Sequence, residues 1–335
     1  MEGHDLTNRV LLNGQAVGYL PSQTWADMWM SAALPIPVGL LHAGYNELTV
    51  EVGRAIPDLQ APGNAWDELL FRRVRLERTS ASQLAGAPPA AIASAVSRPV
   101  TITVVYDNNG YRPGLETAWG FACAVQYGEE SILFDTGGDG RMLLANMAAL
   151  GLNPSDLDAV VLSHAHADHT GGLEAVLQAN PGLTVYLLES FPAATKDKLR
   201  SLAAQTVEVD GPLEIRPGVW STGQMGSEIA EQALVLQTDS GLIVITGCAH
   251  PGVLEMVRKA REVGRGEISL LMGGFHLGDA NAATIRSVTI GLAELGIERI
   301  APCHCTGENA VASIASAFGQ GYQRCGVGLV IQEAE

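Results

Sequence analysis

Val160-Val161-Leu162-Ser163-His164-Ala165-His166-Ala167-Asp168-His169-Thr170-Gly171-Gly172 is the stretch on which the reading of this 335-residue chain turns. Three histidines and one aspartate occupy the positions from His164 to His169, directly after the apolar run Ala159 to Leu162. The length and β-branched content of that run predict a buried strand. Side chains on an extended segment repeat every second residue, so His164 and His166 are predicted to turn their rings to one side, with small Ala165 and Ala167 between them. Asp168 and His169 fall where the chain turns toward a helix and are predicted to face a second ion beside the first. Imidazole nitrogen with carboxylate oxygen suits two divalent ions, zinc first, with manganese or iron as alternatives. A loop of solvated histidines is the plainer reading; four ligand types at this spacing after a buried strand weigh against it.

Further pieces lie outward from this stretch, each at the end of an apolar run. Phe134-Asp135-Thr136-Gly137 precedes it, while Thr246-Gly247-Cys248-Ala249-His250-Pro251-Gly252, Gly273-Gly274-Phe275-His276-Leu277 and Cys303-His304-Cys305-Thr306-Gly307 follow. With His-Ala-His-Ala-Asp-His standing as H-x-H-x-D-H, the chain resembles the metallo-β-lactamase superfamily. Within it, the resemblance is to the branch that includes the dihydropterin-methyl aminobenzene ribofuranosyl-phosphate synthases. It runs from about Val100 to the C-terminus and implies an α/β fold, the αββα metallo-β-lactamase sandwich, with the site along one edge of the paired sheets.

The resemblance also implies a ligand set: one ion held by His164, His166 and His250, the other by Asp168, His169 and His304. The pattern departs from the superfamily's commonest one, in which the strand before the last ligands ends in Gly-Asp and the aspartate bridges the ions. Here that strand ends Gly247-Cys248, so Cys248 bridges as a thiolate, acts behind the ligands, or packs. Asp135 is expected to orient a ligand histidine rather than to bind metal. His276 binds metal, contacts substrate or acts as general acid; with Asp168 it is the catalytic candidate. Asp107, Asn108 and Asn109 are expected to line the mouth. Cys303 and Cys305 flank His304, and because alternate residues of a strand face opposite ways, the three are not expected to share an ion.

Composition sets outer bounds. The chain is 47% apolar with 38 glycines, enough for a substantial core and many sharp turns, and its length predicts one large or two smaller units. A formal charge of −16 opposes nucleic acid or an anionic membrane as the main partner, although cations at a site would admit an anionic substrate locally. The first residues lack a basic segment followed by an apolar one, and no apolar run is long enough to span a bilayer, so a cytoplasmic location is expected. Five cysteines give no disulfide framework.

Residues 1–78 read as a small β-sandwich-like domain. Arg9 to Leu20 contains a turn-like Asn13-Gly14, and Leu48, Val50 and Val52 alternate with polar neighbours, as Val74 and Leu76 do with arginines. The phrases Val10 to Gln15 and Leu40 to Val50 weakly resemble jelly-roll modules of glycoside hydrolases. Trp25, Trp29 and Trp66 then either stack on carbohydrate or fill a core, while His4 and His42 are read as structural. Residues 79–99, rich in Ala, Ser and Pro, read as a linker. From 100 to 335, strands alternate with helices at Gly140 to Leu150, Gly171 to Gln178, Ala193 to Ala204, Gly252 to Val263, Ala282 to Leu295 and Gly307 to Phe318. In the fifth of these, Ile285, Val288, Leu292 and Leu295 trace one face.

Two cations about 3.5 to 4 Å apart lower the pKa of a shared water toward neutrality and polarise the bond under attack. The first functional expectation is therefore a dinuclear metal-dependent hydrolase acting on small phosphoesters or other activated esters, with metal-bound hydroxide as nucleophile. The alternative implied by the resemblance is a synthase-type transferase in which an aromatic amine attacks. An iron-containing redox or sensory protein is a third expectation, and a homodimer is compatible with all three.

Overall fold

The structure is a computed structural model that describes residues 98–202 and 205–333, together with the backbone of three strands nearer the N-terminus. The chain divides into two compact units, Met1–Ile92 and Ala93–Glu335. In the first, β1 (Asn8–Leu12), β2 (Gln15–Leu20) and β3 (Leu48–Glu51) form an antiparallel sheet ordered β2-β1-β3, with Leu12 opposite Gln15 and Val10 opposite Val50. His4, His42, the three tryptophans, Val74, Leu76 and residues 79–97 of the expected linker lie outside the described residues.

The second unit opens with β4 (Val100–Asp107), β5 (Phe121–Tyr127), β6 (Glu130–Phe134), α1 (Gly140–Ala149), β7 (Ala159–Val161), α2 (Ala167–Thr170), α3 (Leu173–Ala179), β8 (Thr184–Leu188), α4 (Ala193–Ser201) and β9 (Gln205–Val209). It continues through β10 (Leu213–Arg216), β11 (Val219–Ser221), β12 (Leu234–Thr238), β13 (Gly241–Thr246), α5 (Val253–Gly264), β14 (Ile268–Gly274), α6 (Ala282–Glu294), β15 (Arg299–Cys303), α7 (Glu308–Phe318) and β16 (Val330–Glu333). One sheet runs β16-β4-β5-β6-β7-β8-β9 and the other β10-β11-β12-β13-β14-β15. Each begins antiparallel and turns parallel, from β6 onward in the first and from β13 onward in the second.

Alternation along the central strands explains the layering. Leu234, Leu236, Ile243, Ile245, Leu270 and Met272 share one core with Val104, Val125 and Leu133 of the other sheet. Their neighbours Val235, Leu242, Val244 and Leu271 face away and pack with Met256 and Val257 of α5 and Ile285 and Leu292 of α6. A strand buried on both faces has no polar side, so it reads as an unbroken apolar run. This is the mixed α/β sandwich expected, with two sheets inside and helices outside.

Helix limits follow local chemistry. Asp139 caps α1 by accepting from Met142 N at 3.0 Å, and Asn281 caps α6 by accepting from Ala283 N and Thr284 N. The helix expected from Gly171 is α3, which starts at Leu173, and a separate turn of helix, α2, precedes it and holds Asp168 and His169. Gly172 marks the join, where a Cβ would stand 2.1 Å from Thr136 O. Val288 and Leu295 of the apolar face on α6 are only partly buried, and Thr289 takes a buried place beside Ile285 and Leu292.

Candidate metal centre

The parallel strands deliver the site. β6 and β7 in one sheet and β13, β14 and β15 in the other end at a common edge, leading to Asp135, His164, Cys248, His276 and His304. Five non-glycine residues among those described have positive φ, and four lie here: Asp135 at 57°, Ala249 at 59°, His276 at 51° and His304 at 48°. That backbone region is costly for side-chain-bearing residues, so its concentration at one edge marks where conformation serves side-chain placement. The sheets approach so closely there that a Cβ on Gly247 would sit 2.2 Å from Ser163 Oγ.

Two groups of donors converge. Ligand atoms of His164, His166 and His250 lie within 4.8 Å of one another, and so do those of Asp168, His169 and His304. His164 Nε2 is 3.1 Å from His166 Nδ1, and His169 Nε2 is 3.3 Å from His304 Nε2. Asp168 Oδ2 stands 3.3 Å from His304 Nε2 and 3.6 Å from His169 Nε2. Cys248 joins the groups, its Sγ 3.3 Å from His169 Nε2 and within 4.8 Å of the His164 ligand atom.

The outer partners fix which ring nitrogens are bare. Ser163 Oγ donates to Asp135 Oδ2 at 2.7 Å, so it accepts from His164 Nδ1 at 2.9 Å and leaves Nε2 unprotonated. His169 Nδ1 donates to Asp135 Oδ2 at 2.7 Å. Asn108 Nδ2 donates to His304 O, which orients Oδ1 to accept from His304 Nδ1 at 3.0 Å. His164, His169 and His304 thus present Nε2 lone pairs inward, while His250 Nε2 is buried with no hydrogen-bond partner. The unprotonated nitrogens of His169 and His304, facing each other at 3.3 Å, repel unless something positive lies between. Such a spacing matches the edge of a tetrahedron with metal–nitrogen bonds of about 2.0 to 2.1 Å. The donor set fits divalent cations.

Electrostatics agree with this arrangement. Burial, then the neighbouring His169, His250 and His166, push the His164 pKa well down, and burial with His276 and His166 lowers that of His250 to about 4. Both are held in the neutral form that binds metal. Burial opposes charge on Asp168, but the His304 and His169 rings beside its carboxylate, at 3.3 and 3.6 Å, draw its pKa to about 2. Burial also works against charge on His169, and the Asp135 carboxylate beside it outweighs that and raises its pKa.

One expectation is corrected, and another, that Cys303, His304 and Cys305 do not share an ion, holds on other grounds. Asp107 does not line a mouth: it is fully buried and accepts from Asn109 N and Nδ2, and only Asn108 of the expected trio reaches the cluster. Nor do Cys303, His304 and Cys305 alternate along one strand. β15 stops at Cys303, which faces the inter-sheet core, and the left-handed turn at His304 brings Cys305 to the same side as His304 and Cys248. Cys305 Sγ accepts from His276 N at 3.3 Å, and contact with the Cys248 thiol, together with His276, lowers the Cys305 pKa to about 5. The His276 ring lies 4.2 Å from that of His250, within ligand reach of Cys248 and His250.

Glu231 is the functional residue that sequence reasoning missed. It is fully buried, and its Oε1 accepts from Gly247 N, Cys248 N and Ala249 N while Oε2 accepts from His250 N. One carboxylate therefore shapes the whole loop that carries Cys248 and His250. An isolated acid beside the apolar run that starts at Ala233 was the available signal.

Residues 120–252 match the sequence profile of the Metallo-beta-lactamase superfamily. The chain is 28% identical over 279 residues, 69% of its length and 95% of the relative's, to the 7,8-dihydropterin-6-methyl-4-(beta-D-ribofuranosyl)-aminobenzene-5'-phosphate synthase of Methanocaldococcus jannaschii. It is 23% identical over 256 residues to an uncharacterized protein of the same organism, covering 64% of this chain and 93% of that one. Among solved structures, Tm1679, described as a metal-dependent hydrolase of the beta-lactamase superfamily, aligns with a TM-score of 0.59 at 27% identity, over 70% of this chain and 100% of its own. YhfI of Bacillus subtilis shares the fold at 18% identity and a TM-score of 0.54, over 70% of this chain and 100% of its own.

Proposed function

We propose that this chain, whose residues 120–252 match the Metallo-beta-lactamase superfamily profile, is a metal-dependent hydrolase of phosphoesters or other small activated esters, working with two divalent ions, zinc foremost. His164, His166 and His250 would hold one ion and Asp168, His169 and His304 the other, with Cys248 between the groups. The observation that carries this reading is the buried, unpartnered His250 Nε2 converging with the inward-facing nitrogens of its neighbours. When bound, such ions supply a nucleophile from water near neutral pH and a Lewis acid for the leaving oxygen.

The chain's own residues do the rest. Asp135, Asn108 and Ser163 hold three rings in the tautomer with Nε2 inward. The water oxygen bonds to phosphorus or carbonyl carbon, the bond to the leaving oxygen breaks, and one water proton ends on that oxygen. Asp168, with 22% of its side chain accessible, accepts the water's hydrogen, and His276, beside His250, delivers a proton to the departing oxygen.

A second reading is favoured by the relative named a synthase, aligned over 95% of its length. An aromatic amine then replaces water as the attacking group at the same site. Turnover of chromogenic aryl phosphates, aryl carboxylic esters and lactones, with and without chelator and with and without an added aromatic amine, separates the two. Hydrolysis that stops on chelation supports the first reading, amine incorporation supports the second, and turnover unchanged after complete removal of divalent ions overturns both.

A further inference from the structure

One aromatic group beside the ligand cluster is used by neither the hydrogen-bond network nor the donor set. Trp119 has 59% of its surface accessible, the most of any large apolar side chain among the described residues. Its ring centroid nevertheless lies 4.7 Å from that of His304, tilted by 53°. The other exposed large apolar groups stand elsewhere: Tyr111 lies under the Arg324 guanidinium, Ile290 is on α6 and Val330 on β16.

The backbone carrying the indole is anchored on both sides. Before it, Ala118 N donates to Asp107 O at 3.3 Å, and buried Asn146 both donates to Glu116 O and accepts from Glu116 N. After it, Gly120 has a φ of 137°, and a Cβ there would stand 2.4 Å from Asp168 O, so the chain runs against the backbone of a ligand residue. The indole thereby stands on anchored backbone next to His304 and Asp168, with more than half of its surface accessible.

We propose that the open face of Trp119 binds a planar aromatic or heteroaromatic group of the substrate, placing the bond next to that group at the Asp168–His304 donors. This rests on the function proposed above and narrows its substrates to aryl esters or their amine-accepting counterparts. An indole suits the task because it offers a rigid apolar surface that stacks on any ring with little loss of side-chain freedom. The alternative is that Trp119 only shields His304, in which case ligand rings gain nothing from it.

The test uses the full-length, metal-loaded protein and two pairs of probes, phenylphosphonate with methylphosphonate and benzohydroxamate with acetohydroxamate, titrated by calorimetry. The aryl member of each pair is expected to bind about 10-fold more tightly than its alkyl twin in the wild type. Trp119→Ala should bring the aryl affinity to within about twofold of the alkyl one, leave the alkyl affinity and the metal content unchanged, and Trp119→Phe should keep most of the preference. An aryl preference that survives Trp119→Ala, an alkyl affinity that falls as far as the aryl one, or no aryl preference in the wild type would overturn the platform. If only the hydroxamates show the Trp119-dependent preference, the platform stands and the phosphoester reading fails.

Discussion

The two donor groups are both built around imidazoles but are secured differently. Around Asp168, His169 and His304, each ring is gripped through its far nitrogen by a side chain, Asp135 for His169 and Asn108 for His304, and both rings are buried. Around His164, His166 and His250, only His164 has such a grip, from Ser163. His166 is exposed, and His250 is placed by backbone N–H groups folded onto Glu231. A side-chain grip sets the tautomer and orientation of a ligand directly, whereas a backbone grip sets the loop and leaves the ring to follow. The first group is therefore the more rigidly held of the two, and the second is the more adaptable.

The heaviest blow to that difference is a change within the rigid group. Asp168→Ala is expected to remove about half of the bound metal and to abolish turnover, since it takes away an oxygen donor that faces two imidazoles. Metal analysis by mass spectrometry with parallel assays checks it, and full metal content with normal rate would mean that the groups are wrongly divided. Next in size is Glu231→Ala, which strips one acceptor from four backbone N–H groups at once. Hydrogen bonds to a buried charge contribute about 1.5 to 3 kcal/mol each, although not additively, so a loss of roughly 3 kcal/mol or more in urea unfolding is expected. Of the two groups, only the His250 side should lose affinity for metal.

A smaller effect is expected from Asn108→Ala. The His304 ring then loses the acceptor that holds Nδ1–H, and affinity for one ion should fall about 10-fold while the other is retained. Competition titration with a chromogenic chelator reads this directly. Equal weakening of both ions would show that the two groups act as one cradle instead of two.

How much of this was legible in the sequence follows from how local each cause is. His164, His166, Asp168 and His169 stand in one run, and His250 and His304 each follow an apolar strand and precede glycine, so a linear reading finds them. Strands β6, β7 and β13 to β15 are legible because burial on both faces leaves an apolar run. β9 leaves no such run: Gln205 and Glu208 are exposed and Thr206 and Val207 half-buried, which erases the pattern. Glu231 escaped because it acts through backbone groups 16 to 19 residues away, which no side-chain pattern records. The turn at His304 escaped as well, since positive φ at a non-glycine residue is imposed by the surrounding fold.

The finest distinction between the groups is in their response to acid, and it has opposite sign. In the metal-free protein His164 and His250 have folded pKa values below the unfolded one, that of His250 about 4 against 6.5. Between those values the unfolded chain binds more protons, so the stability from this group is present above pH 6.5 and lost as pH falls toward 4. His169, raised by Asp135, works the other way: its contribution is full below the unfolded pKa and fades as pH climbs through the folded one. The melting temperature of the metal-free protein should therefore drop on acidification below pH 6.5. His250→Gln should flatten part of that drop, and Asp135→Asn should remove the loss of stability that His169 causes as pH rises above 6.5. Identical pH profiles for the wild type and both variants would mean that the two sets of imidazoles share one environment, and the division between a rigid and an adaptable half would fall with it.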